Sequence, residues 1–81
     1  MVLSELHKGE HAEIVRLNAD KVLRDRFASF GVLPGEYVVV QECSLAKQTI
    51  EINVDGTIVA LRKQEADKII VERTEPQSST E

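Results

Sequence analysis

His7, His11 and Cys43 are the only imidazoles and the only thiol in the chain, and nitrogen and sulfur donors of this kind are what a transition metal such as zinc would seek. His7 and His11 stand four apart, a spacing that serves a metal when both lie on one helix face, but Gly9 between them works against a helix. Nothing in the sequence carries Cys43 to them. The simpler reading is surface histidines and a packed or edge cysteine, and no metal site is assigned. Phe27 and Phe30 raise a different question. With Leu23 they follow helical spacing, and a chain this small needs them in its core. If one of them stays partly exposed beside Leu33 or Leu45, it makes an apolar patch suited to a partner's hydrophobic segment.

No catalytic constellation accompanies these residues. The chain lacks a glycine-rich phosphate loop, so it is not expected to bind GTP itself, and it has no acid and base pair in a motif context, so it does not read as an enzyme. No cofactor is expected.

The elements that position these side chains can be read from period and punctuation. "LSEL" forms one helical turn with Ser4 as its cap, and "HAEIVRL" forms a short strand. Asn18 or Asp20 caps an amphipathic helix of about three turns through Leu23, Phe27 and Phe30, with Lys21, Arg24, Asp25 and Arg26 elsewhere on its surface. Gly31 is a left-handed helix stop, and Leu33-Pro34-Gly35-Glu36 reads as a type II turn leading straight into the strand "EYVVVQEC". "TIEINV" alternates as a strand with one buried face, and Asp55-Gly56 predicts a type I′ hairpin returning through "TIVALRK". "QEADK" offers one more helical turn before a last strand, "IIVER". The fold class is mainly β: about five antiparallel strands with one helix inserted between the first and second. Closure into a small barrel is expected, because it would remove exposed edges.

Eighty-one residues bound the chain to a single core, placed in residues 1–73, with a polar tail over 74–81 expected to be disordered. The net charge of −4 argues against nucleic acid as a partner. The tail holds Glu75 and Glu81, leaving 1–73 nearly neutral. A single cysteine fits a reducing compartment. "MVLSELHKGE" carries Glu5 and Glu10 where a signal peptide needs an apolar core, and no run is long enough to insert into a membrane. A cytoplasmic location is expected.

The order of these pieces resembles a known family. "LSEL", then "GEHAEIVRL", a helix ending "FGVLPG", a valine-rich strand, and "VDGTIVALRKQEADKIIV" look like the FeoA family, ferrous iron transport protein A, over roughly Val2 to Glu72. The resemblance implies a small cytoplasmic SH3-like barrel in bacteria that accompanies FeoB, the membrane-embedded ferrous iron transporter with a cytosolic GTP-binding domain. It implies binding to the transporter's cytoplasmic portion and an effect on its assembly or nucleotide cycle. Arg24 and Arg26 could then serve as an arginine finger on that domain, against the simpler reading that they solvate the helix. The partner-binding residues expected are Arg24, Arg26, Phe27, Phe30, Leu33 and Leu45, on a groove between the helix with its following loop and the barrel. Two alternatives stand beside this: a peptide-binding regulatory module, and a metal-sensing module like the domain that ends some iron-dependent repressors. If the barrel closes imperfectly, exposed edges between the last and first strands would permit a weak homo-oligomer.

Overall fold

The computed structural model describes residues 1–46 and 48–75. The expected tail beyond Glu75 lies outside the described residues, and Thr74 closes the last strand. A 3-10 turn at Leu3–Glu5 opens the chain, followed by β1 (His11–Leu17), α1 (Lys21–Ser29), β2 (Tyr37–Cys43), β3 (Thr49–Val54), β4 (Thr57–Arg62), α2 (Lys63–Ala66) and β5 (Ile69–Thr74). Ser4 does not cap the first turn. The Glu5 carboxylate accepts from the Val2 N–H at 2.8 Å instead, and the Ser4 hydroxyl donates to Asp67.

The strands form one antiparallel sheet in the order β4-β3-β2-β1-β5. Its curl comes from two interruptions: the register shifts between Ile14 and Arg16 where β1 meets β5, and between Val40 and Glu42 where β2 meets β3. Each leaves one extra residue on the bulged strand, which bends it. The last strand pairs with the first, so no open edge lies between these two strands. The sheet is not closed: β4 and β5 are its two ends. Apolar filling takes the place of a closing ladder, with Leu3 and Leu6 near the amino end and Ala66 in α2 all buried. The core they join includes Ile14, Phe27, Val32, Val40, Ile52, Leu61 and Ile69.

Alternation explains which side chains reach that core. In β3, Ile50, Ile52 and Val54 point inward while Thr49 and Glu51 are exposed, as a period of two requires. The hairpin between β3 and β4 turns at Asp55 and Gly56, with φ of 52° and 87°, the double positive that a type I′ turn needs.

Candidate functional site

The groove begins at the carboxyl end of α1. Asp20 starts this helix by accepting from the Leu23 N–H at 2.9 Å. The helix stops because Gly31 adopts φ 83°, which lets the Gly31 N–H reach the Ala28 carbonyl at 3.0 Å and the Val32 N–H reach the Phe27 carbonyl at 2.9 Å. This is a Schellman ending. It buries Val32 with Phe27 and turns Phe30 outward.

The following turn is fixed against β1. The Glu36 N–H reaches the Leu33 carbonyl at 3.1 Å, closing the Pro34-Gly35 turn, and Ile14 bonds the Gly35 N–H at 2.7 Å and the Glu36 carbonyl at 2.9 Å. Gly35 has φ 95°, as the third residue of a type II turn requires. Between this turn, the helix end and the β3–β4 hairpin lies an open groove of about 370 Å³, lined by Ser29, Phe30, Gly31, Leu33, Glu36, Val54, Asp55 and Thr57. Phe30 and Leu33 supply its apolar surface, 37% and 41% exposed. Glu36 and Asp55 make its rim acidic.

Of the six residues expected at a docking surface, the structure brings Phe30 and Leu33 together here. Phe27 is fully buried and supports the helix from beneath. Leu45 is fully exposed but stands in the loop before β3, whereas the groove lies at that strand's far end, roughly 20 Å along six residues. In that loop the Ser44 hydroxyl accepts from the Gln48 and Thr49 N–H groups at 2.9 and 3.2 Å. Arg24 is exposed on α1. Arg26 pairs with Glu65 of α2 and holds its guanidinium 5.7 Å from the centre of the Phe30 ring. The groove's far wall, Val54, Asp55 and Thr57, carries no signal in sequence that would assign it to a site. Only the hairpin signal at Asp55-Gly56 marks it, and topology alone brings it to Phe30.

The soft ligands are not gathered. His11 opposes Val39 at the start of β1, while Cys43 ends β2 four residues further on, roughly 13 Å away at strand spacing. His7 precedes β1 and its N–H donates to Glu10 at 2.7 Å. Among the described residues no group of three or more His, Cys, Asp or Glu side chains is placed to hold a metal ion. Glu10 also meets Arg73 at 2.9 Å. The His7 backbone bond, then Arg73, holds the Glu10 carboxyl below its ordinary value against a partial desolvation that raises it. No described helix is long and apolar enough to cross a membrane.

Residues 1–73 match the family described as FeoA domain. A Campylobacter jejuni protein named as an Fe(2+) transport protein A is 41% identical over 71 residues, covering 88% of this chain and 96% of that one. A Porphyromonas gingivalis protein named Fe(2+) transport protein A/Fe(2+) transporter FeoB fusion protein is 36% identical over 89% of this chain, which spans 8% of it. Among solved structures, the FeoA protein of Chlorobium tepidum superposes with a TM-score of 0.86 at 29% identity, over 98% of this chain and 75% of that one. A manganese-dependent transcriptional repressor shares the fold, with a TM-score of 0.83 at 23% identity over 90% of this chain and 40% of its own.

Proposed function

Because the chain belongs to the FeoA family, and so to the accessory proteins of ferrous iron transport, we propose that it is a cytoplasmic, non-enzymatic regulator that binds the cytoplasmic portion of an FeoB-type transporter. The observation that carries this reading is the Porphyromonas gingivalis fusion, in which a relative of nearly this whole chain is joined to FeoB in one polypeptide. Covalent joining raises the effective concentration of two partners without adding a contact, and it is useful where they act on each other.

The docking surface in this reading is the groove at Phe30 and Leu33. Its apolar floor suits a hydrophobic segment of the transporter, and its acidic rim at Glu36 and Asp55 suits basic residues flanking that segment. Binding regulates only through a difference in affinity between two states of the transporter. The test is a pull-down with quantified affinity against the cytoplasmic domains of the cognate transporter, in GTP-analogue and GDP forms. Affinity that changes with nucleotide is the expected result; no binding in either form would overturn the reading.

A further inference from the structure

The two ends of the sheet are treated differently. Along β5 the outer edge is occupied, since Val2 bridges Ile70 and the Val71 N–H reaches the Met1 carbonyl at 2.9 Å. Along β4 it is open. The hairpin makes Val54 and Thr57 a hydrogen-bonded pair, and alternation down the ladder then turns the N–H and C=O groups of Val59 and Leu61 toward β3 and those of Ile58 and Ala60 away from it. The Arg62 N–H points outward by the same rule, and it is consumed there by Glu65 at 3.0 Å. Among the described residues, no backbone bond reaches Ile58 or Ala60 from that side.

Edges left open are usually blunted by charge, proline or a bulge. Thr57 to Leu61 has no charge and no proline, its pairing with β3 runs without a register shift, and Ile58 is 53% exposed on it. Such a stretch is a template for another strand.

We infer that β4 is the interface for a second copy of this chain, the two β4 strands pairing antiparallel about a twofold axis at Val59 so that Ile58 opposes Ala60 of the second copy. In this register each outward N–H of Ile58 and Ala60 meets an outward carbonyl of the other copy. The pairing is self-complementary in charge as well as in hydrogen bonds. Arg62 of one copy comes level with the Asp55-Gly56 turn of the other, and no like charges are set opposite each other. The two Ile58 side chains become diagonal neighbours on the outer face, within reach of one another, and leave water. Thr57 belongs to both β4 and the groove, so the paired edge borders the groove, but the observations that carry the pairing are those of the edge itself and do not rest on the transporter reading.

The experiment is sedimentation equilibrium from roughly 10 µM to roughly 1 mM, the range in which a short edge contact would show its Kd. It is joined to amide exchange of Ile58 and Ala60 at both concentrations. A dimer that fills in with concentration is expected, with exchange at these two amides slowing in step. Ile58→Lys, which puts like charges against each other at the axis, and Ala60→Pro, which removes an outward donor without touching the β3 ladder, should each weaken the dimer at least tenfold. A chain that stays monomeric throughout, or dimers whose Ile58 and Ala60 amides exchange as in the monomer, would overturn the inference. The amide measurement uses the native chain and holds even if a variant fails to fold.

Discussion

Arg26 and Glu65, 39 positions apart, join α1 to α2 through an ion pair, and Glu65 uses its second oxygen to accept from the Arg62 N–H at the start of α2. One carboxylate thus ends the sheet's edge strand and anchors the helix that borders the groove. Its side chain is only 13% exposed, so water competes less than at the outer pair Lys8 and Glu42. The guanidinium is engaged by Glu65 and by the Phe30 ring, which ties Arg26 to the local fold and leaves Arg24 as the freer of the two arginines.

Glu65→Ala should therefore cost about 1–2 kcal/mol, the sum expected for a lost helix-start acceptor and a partly shielded ion pair. Glu65→Gln keeps one oxygen to accept from the Arg62 N–H and loses the charge and the second acceptor that faces Arg26, so its cost should be the smaller. Urea denaturation of the three proteins measures this, and equal midpoints would show that the junction contributes nothing.

Phe27 and Phe30 should separate folding from binding. Phe27→Ala empties the centre of the core and should cost about 3–5 kcal/mol, a large share of what a domain of this size possesses. Phe30→Ala removes a ring that is already partly in water and should cost less than about 1 kcal/mol, while reducing transporter binding. Thermal unfolding and the pull-down decide between them; a Phe30→Ala protein that folds and binds as the native one does would remove the groove from the docking surface.

Gly31 stands at φ 83°, and a Cβ there would meet only Val54 Cγ1 at 3.9 Å, an ordinary contact. Gly31→Ala should therefore cost about 1–2 kcal/mol from backbone strain alone, with the β3–β4 hairpin undisturbed. Gly31→Asn should cost less, since its side chain tolerates the left-handed region. Denaturation midpoints test the order, and an alanine variant as stable as the native chain would show that the helix can end another way.

Local chemistry made most of the fold legible. Strand period, the Asp20 cap, Gly31 and Asp55-Gly56 act within a few residues, and each element lies where those signals place it. What was not legible depends on distant parts meeting. The i, i+3 spacing of Phe27 and Phe30 could not say which ring faces inward; the Schellman ending decides that by burying Val32 beside Phe27. Leu45 looked equivalent to Leu33 because both are loop leucines, yet strand order puts them at opposite ends of β3. Barrel closure was expected from the need to hide edges. The chain hides one of them with its own first residues, Met1 and Val2, whose role no local pattern announces.

Stability should fall with acid at two identifiable places. The Ser4 hydroxyl, then Lys63, hold the Asp67 carboxyl below its ordinary value, and the His7 N–H leads in doing the same for Glu10. A carboxylate whose folded pKa is depressed contributes stability that is fully present above its unfolded value, near pH 4, and is lost as pH falls toward the folded value. Urea midpoints should then be level near neutrality and drop below about pH 5. Ser4→Ala removes the largest cause at Asp67, so its deficit relative to the native protein should be greatest near neutral pH and shrink as Asp67 protonates in both. Glu10→Gln should behave in the same way, through the contacts to His7 and Arg73. Curves that run parallel to the native one down to about pH 3 would mean that these carboxylates titrate alike in the folded and unfolded chains, and that the bonds drawn to them carry no stability.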